Sequence, residues 1–232
     1  MPMNIIIFGP NGSGKGTQGA IIKRHFNVPH IESGTIFREH IRRGTELGIE
    51  AKSYIDRGQL VPDHITIPMM IERLQNPDCV DGWVLDGFPR SKAQAVSLAD
   101  SLRSAGIALN YVVEIVLDRE VARARIVGRR LCVSDNNHPN HIAFDEIKPV
   151  ERAGELVCRV CGGELKTRAD DQDESAINQR HDIYYDDRVG TIAAVNYFRQ
   201  IGIAKVVAVD GSKAIGEISQ SILAMLGPES SI

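Results

Sequence analysis

The sequence predicts an α/β fold: a doubly wound parallel sheet forming the core, with two inserted subdomains. Three observations predict it. Short apolar, β-branched runs occur at residues 4–8, 83–86, 111–117 and 205–209, and stretches of helical spacing, among them 92–103, 119–130 and 215–226, separate or follow them. Strands alternating with helices over such distances need crossover connections, which are right-handed and leave the strands parallel. The 232 residues are 43% hydrophobic and 25% charged, which is enough apolar matter for one generous core and too much for a disordered chain.

The first run stops at Gly9 and Pro10, as a buried parallel strand does, and is followed by Asn11, Gly12, Ser13, Gly14, Lys15, Gly16 and Thr17 at the opening of a helix. Glycines at this spacing let backbone N–H groups turn inward as an anion nest. The helix N-terminus adds the positive end of its dipole, and Lys15 reaches the outer phosphates. The strand–loop–helix context makes this a P-loop, with Gly16 directly after the lysine and the hydroxyl residue at Thr17. Residues 33–61 follow as short helices broken at Gly44, Gly48 and Gly58, and Pro62 suits the opening of the next helix. They are expected to form a helical insert.

The strand at 83–86 ends on Asp86, and the carboxyl ends of parallel strands face the ligand crevice, so Asp86 is a candidate second carboxylate for Mg²⁺ or, alternatively, a strand-end cap. Gly87, Phe88, Pro89 and Arg90 emerge from the same strand end, then Gln94. Residues 131–171 lack helical periodicity, carry three of the four cysteines, and are punctuated by turn residues, which reads as a small insert without its own hydrophobic core. The last strand and helix, 205–209 and 215–226, close the core before a polar tail.

The charges, 27 basic against 30 acidic, leave a net −3, so no global basic field attracts nucleic acid and any phosphate-binding surface must be local. Arg38, Arg90, Arg125, Arg129, Arg168 and Arg180 are therefore the candidates. Phosphoryl transfer needs positioning and charge compensation more than covalent chemistry, and the planar guanidinium fork suits phosphate. The N-terminal apolar run is too short for a secretory signal, and no stretch approaches the ~18 apolar residues of a membrane span. A cytoplasmic protein is expected, in which the cysteines serve a metal before a disulfide.

Taken in order, GPNGSGKGTQ, SGTIFR ending at Arg38, GQLVPD around Val61, DGFPR from Asp86, Gln94, RIVGRR ending at Arg130, TRADD ending at Asp171 and VDGSK ending at Lys213 resemble adenylate kinase over nearly the whole chain. The resemblance implies reversible transfer of a phosphoryl group from Mg-ATP to AMP, with ATP, AMP and ADP as the partners, no nucleic acid or membrane partner, and a monomer. It implies a P-loop core over 1–31, 62–124 and 176–232, an AMP-binding insert over 32–61 and a lid over 125–175. Gly12, Ser13, Gly14, Lys15, Gly16 and Thr17 would hold the ATP phosphates, Arg125 and Arg129 would face ATP, and Lys213 would lie near its adenine. Ser33, Arg38, Gln59, Leu60, Val61, Gly87, Phe88, Pro89, Arg90 and Gln94 would hold AMP. Arg168 and Arg180 would close from the lid side on AMP and the moving phosphate, and Lys15, Arg90, Arg125, Arg129, Arg168 and Arg180 would carry catalysis.

Within the lid, Cys132 and His138 followed by Cys158 and Cys161 make a set of three thiolates and one imidazole suited to tetrahedral zinc, and they resemble the zinc-type lids of bacterial adenylate kinases, with His138 in place of a second cysteine. His141 is the rival ligand, but it matches the family's His-x-x-Phe element, and Asn140 stands where the family has a tyrosine. Such a metal is expected to be structural, and the softer-to-harder change from thiolate to imidazole opens the site to Co²⁺ or Fe²⁺. A GTP:AMP phosphotransferase is the nearest alternative and a pyrimidine monophosphate kinase a weaker one, because its lid would be short. A signalling GTPase would need an Asn-Lys-x-Asp element, and the chain has no Asn-Lys pair. A zinc-ribbon nucleic-acid module would need aromatics around the knuckle, where Phe144 stands alone.

Overall fold

The computed structural model describes residues 2–55, 61–167 and 171–227. Strand β1 (Met3–Phe8) leads through the P-loop into α1 (Lys15–Phe26), then β2 (His30–Glu32), α2 (Ser33–Arg43), α3 (Glu46–Ile55) and α4 (Asp63–Leu74). Next come β3 (Gly82–Asp86), α5 (Lys92–Ser104), β4 (Tyr111–Val116) and α6 (Arg119–Ile126). The lid contributes β5 (Leu131–Cys132), β6 (Val150–Arg152), β7 (Glu155–Val157) and β8 (Leu165–Lys166), and the chain finishes with α7 (Glu174–Tyr185), α8 (Thr191–Ile201), β9 (Lys205–Asp210) and α9 (Ile215–Leu226).

The main sheet runs β2-β3-β1-β4-β9, and every pairing in it is parallel. Strands buried on both faces read as continuous apolar runs, and Ile5, Ile6 and Ile7 are each at most 1% exposed. Alternation then sorts them: Ile6 and Phe8 face one cluster with Trp83, Met69, Leu98 and Phe198, while Ile5 and Ile7 face another with Ile22, Val113 and Ile222. Strand β1 has β3 on one side and β4 on the other, so the order reverses around it and a crevice opens beyond the carboxyl ends, where the P-loop and Asp86 lie.

Caps fix several helix starts. Ser91 accepts from the Gln94 N–H, Asp118 from those of Glu120 and Val121, and Asp173 from those of Ser175 and Ala176. Two expectations are corrected. Gly48 does not break the helical insert: it lies inside α3, where a Cβ would overlap the backbone of His40, so its role is to let α2 and α3 approach. The expected helix 119–130 ends at Ile126, because Val127 is extended and Gly128 takes φ +89, turning the chain into the lid. Gly58 lies outside the described residues. Strand β2, three residues long, has too little pattern to be read from sequence.

The lid has two antiparallel two-stranded pairs, β5 with β8 and β6 with β7. Strand β6 is exposed throughout, while Cys132 and Cys158 are buried. The insert's interior is therefore built around sulfur rather than around an apolar core.

Candidate active site and metal centre

A cavity of about 830 Å³ opens beyond the sheet and is lined by Gly12 to Thr17, Ser33, Arg38, Asp86, Gly87, Arg90, Arg125, Arg129 and Lys213, with the lid segment from Asn136 to His141 on its far wall. One cleft thus joins the predicted phosphate loop to most of the arginines predicted for both nucleotides. Gly12 (φ +93) and Gly14 (φ +87) adopt conformations open to glycine, and a Cβ on Gly12 would overlap the Ala122 carbonyl. The loop is consequently specified by packing as well as by backbone freedom.

Lys15 Nζ donates to the carbonyls of Gly9 (2.7 Å) and Pro10 (3.1 Å). Burial lowers its pKa, and the Asp86 carboxylate works against that shift. Asp86 is 8% exposed. Burial pushes its carboxyl up, but the imidazole of His30, with Nε2 3.4 Å from Oδ2, together with Lys15 and Arg90, holds it below the usual carboxylate range. An ionised Asp86 and the Thr17 hydroxyl both line the cavity, and both are hard oxygen donors of the kind that Mg²⁺ takes.

The arginines are held by different partners. Arg90 Nε donates to the Gly87 carbonyl (2.8 Å), and its backbone N–H donates to Gln94 Oε1 (2.8 Å). Gln94, 5% exposed, therefore pins the Arg90 backbone beside the cavity rather than lining it. Arg125 donates to the carbonyls of Gly211 (2.6 Å) and Ser212 (3.2 Å), which ties α6 to the Lys213 loop, and burial lowers its pKa. Arg129 grips Asp171 with Nε at 2.9 Å and Nη2 at 2.7 Å, and Arg180 Nη1 lies 3.8 Å from the same carboxylate. Ser33 Oγ donates to the Gly87 carbonyl (3.0 Å), and Arg38 Nη2 to Thr35 Oγ1 (2.8 Å).

Other predicted residues lie away from the main wall. Val61 is buried in the core cluster, and Phe88, Pro89 and Arg180 line a smaller adjoining cavity of about 70 Å³ that also touches Lys15 and Arg90. Gln59, Leu60 and Arg168 lie outside the described residues. Sequence reasoning missed four contributors: His30 and Asp171, described above, and the pair Glu32 and Asn137. Thr17 Oγ1 donates to the Asn137 carbonyl (3.2 Å), and Asn137 Nδ2 donates to Glu32 Oε1 (2.9 Å), so the lid tip rests on the P-loop helix. The acid in the TRADD run was the available signal for Asp171. Nothing local signals the lid-tip contact.

In the lid, the candidate ligand atoms of Cys132, His138, Cys158 and Cys161 lie within 4.8 Å of one another. Tetrahedral metal–sulfur bonds of ~2.3 Å put sulfurs about 3.7 Å apart. Here Cys132 Sγ is 3.4 Å from Cys161 Sγ, and Cys158 Sγ is 3.6 Å from His138 Nδ1, so the set fits a divalent soft-to-borderline ion. His138 Nε2 is 3.7 Å from Asp135 Oδ2, the arrangement that fixes a ligating imidazole from behind. Burial pushes the Cys158 thiol up, but backbone N–H groups of Cys161 and Val160 and the Asn140 amide bring it down to about 6. His141 stands apart from this set: its Nδ1 accepts from the Ala143 N–H (3.1 Å) and its ring lies 4.2 Å from that of Phe144.

The adenylate kinase family model matches residues 7–203. The chain is similar to an adenylate kinase of Desulfotalea psychrophila at 66% identity over 223 residues, covering 96% of this chain and 99% of that protein. It is likewise similar to adenylate kinases of Desulfosudis oleivorans, 60% identical over 97% of this chain and 100% of that protein, and of Lawsonia intracellularis, 54% identical over 99% and 100%.

Proposed function

The chain belongs to the adenylate kinase family, and on that premise we propose how its residues divide the reaction among them. It is a nucleoside monophosphate kinase that moves a phosphoryl group reversibly from Mg-ATP to AMP, giving two ADP. The relatives' names favour this over the GTP:AMP alternative.

The observation that carries the residue assignment is the single cavity that joins the P-loop to Arg38, Arg90, Arg125 and Arg129. In-line transfer needs both nucleotides in one water-poor cleft with cations around the moving group. Gly12, Ser13, Gly14, Lys15, Gly16 and Thr17 cradle the ATP phosphates, with Arg125, Arg129 and Lys213 beside them. Ser33, Arg38, Gly87 and Arg90 serve AMP from the cavity wall and Gln94 through the Arg90 backbone that it pins, and Gln59, Leu60, Val61, Phe88, Pro89, Arg168 and Arg180 serve it by resemblance. Lys15, Arg90, Arg125, Arg129, Arg168 and Arg180 balance the charge that spreads over the transferred group. Asp86 and Thr17 would hold Mg²⁺, which supplies charge neutralisation to the phosphates when bound.

The core comprises 1–31, 62–124 and 176–232, the AMP-binding insert 32–61 and the lid 125–175. The lid set Cys132, His138, Cys158 and Cys161 takes zinc first and admits Co²⁺ or Fe²⁺. The protein is a cytoplasmic monomer acting on small nucleotides, without nucleic-acid or membrane partners; among the described residues no helix is long and apolar enough to cross a membrane.

Initial rates with Mg²⁺, AMP and either ATP or GTP, with products resolved by ion exchange, test the donor. ADP forming from ATP and AMP is the expected result; transfer from GTP alone overturns it. Arg90→Ala is expected to lower kcat by about a hundredfold or more. Near-normal turnover would remove Arg90 from the catalytic set.

A further inference from the structure

Resting on the lid metal site assigned above, we propose that Asn140 is a positioning residue for that site, holding the Cys158 thiolate and joining the two halves of the ligand set. The halves come from separate stretches of chain: Cys132 and His138 from β5 and the loop after it, Cys158 and Cys161 from the knuckle after β7. Asn140 lies between them and is 3% exposed.

Its side chain is used at both ends. Nδ2 donates to the His138 carbonyl (3.1 Å) and to Cys158 Sγ (3.3 Å), and Oδ1 accepts from the Arg159 N–H (2.9 Å). A carboxamide has two donor hydrogens and an acceptor oxygen, so one side chain makes all three bonds. The partners fix which end is nitrogen, because the His138 carbonyl needs a donor and the Arg159 N–H needs an acceptor. Two of these bonds reach the knuckle and the third anchors the loop that carries His138. The amide thus sets the approach of one ligand pair to the other from the protein side.

The chemistry at sulfur follows from charge. Three thiolates around a divalent cation leave a net negative centre, and an N–H···S bond to a buried thiolate draws off part of that charge without adding a cation. A phenol has one hydroxyl and cannot replace this donor–donor–acceptor set. Asparagine at position 140 therefore supplies a set of bonds to the two halves of the site that a tyrosine there could not.

The test uses the full chain loaded with Co²⁺, which reports thiolate ligation by its sulfur-to-metal charge-transfer absorption. Two variants are compared with the parent: Asn140→Asp, which is isosteric and keeps an acceptor for Arg159, and Asn140→Ala. Co²⁺ affinity is read by competition with a chromogenic chelator. Loss of the amide donor is expected to weaken Co²⁺ binding about 10–100-fold in both variants, the range seen when outer partners of ligands are removed. It is also expected to move the charge-transfer band to lower energy, since a thiolate without its N–H bond is easier to oxidise. Affinity within twofold of the parent overturns the proposal, and so does weakened affinity with an unmoved band, which would mean that Asn140 only packs. A parent that binds no Co²⁺ overturns the metal site itself, and the role of Asn140 with it.

Discussion

Replacing Asp171 by asparagine would separate the charge of this residue from its shape. The carboxylate is 1% exposed, binds Arg129 through Nε and Nη2 at 2.7–2.9 Å, and lies 3.8 Å from Arg180 Nη1. Breaking a dry buried pair costs about 3–5 kcal/mol. Arg129 is 27% exposed and borders the cavity, so water there can take up part of the freed guanidinium, and a figure of about 1.5–3 kcal/mol in folding stability, that of a hydrogen bond between charged groups, is the better expectation. The kinetic effect is larger than this implies, because two arginines lose their common anchor. A misplacement of an ångström at a reacting centre costs about a hundredfold. If both guanidinium groups act on the charge of the transition state, kcat and kcat/KM fall together by that factor. Initial rates at saturating and limiting AMP, with a thermal melt of the same protein, measure both quantities. A kcat within threefold of the parent, or a change in KM alone, would refute the reading that Asp171 orients the arginines.

Three further outcomes follow from particular contacts. Gly48→Ala gains about 1 kcal/mol of helix propensity but must push α3 off the His40 backbone, an overpacking cost of about 1–3 kcal/mol, so a lower denaturant midpoint is expected and a higher one contradicts the close packing of α2 and α3. Chelating the lid metal is expected to make residues 131–166 sensitive to protease while the emission of Trp83, the single tryptophan and 1% exposed, stays that of a buried indole; a shift in that emission would mean that the metal supports the core as well. His181 is fully buried with Nε2 3.1 Å from the Asn11 carbonyl, and burial lowers its pKa, opposed first by the hydrogen bond to Asn11 and then by Asp182 and Glu120, and aided by Arg119. The unfolded chain therefore takes up the proton first, so stability is complete above the ordinary imidazole value of about 6.5 and is lost as pH falls through it towards the folded pKa. The same acidification should affect His181→Gln less, and equal losses in the two proteins would rule the residue out.

Features whose partners are close in sequence were legible in it. The P-loop is strand, turn and helix within one short stretch, and Asp86 is placed by the end of its own strand. His138 could be preferred to His141 from the neighbouring His-x-x-Phe element, and it is His138 that stands with the three cysteine sulfurs. What was not legible depends on chain meeting chain. Arg129 and Asp171 are 42 positions apart, and Glu32 and Asn137 are 105 apart, so no periodicity brings them together. Gly48 shows the same limit in reverse. Its lack of a side chain reads locally as a helix break, yet the space is filled by α2, and a neighbour of that kind has no local signature.

The lid's construction has a physical logic that joins these observations. Its contacts across the cavity are polar: Asn137 on Thr17 of the core and on Glu32 of the AMP-binding insert, and Arg125 on the core carbonyls of Gly211 and Ser212. Polar contacts can be exchanged for phosphate oxygens or water at small net cost, because each bond given up is replaced by another. An apolar seam of the same extent would give back about 25 cal/mol for each Å² exposed on parting, with nothing to replace it. A subdomain joined to the core by such contacts therefore draws little order from a hydrophobic interface with it. Exposed strands such as β6 leave the lid with little apolar core of its own. The four-ligand set of Cys132, His138, Cys158 and Cys161 would, with a metal bound, supply that order from within and leave the seam with the core polar. His138 follows Asn137 directly in the chain, so a metal on His138 would also hold the residue that makes the polar seam.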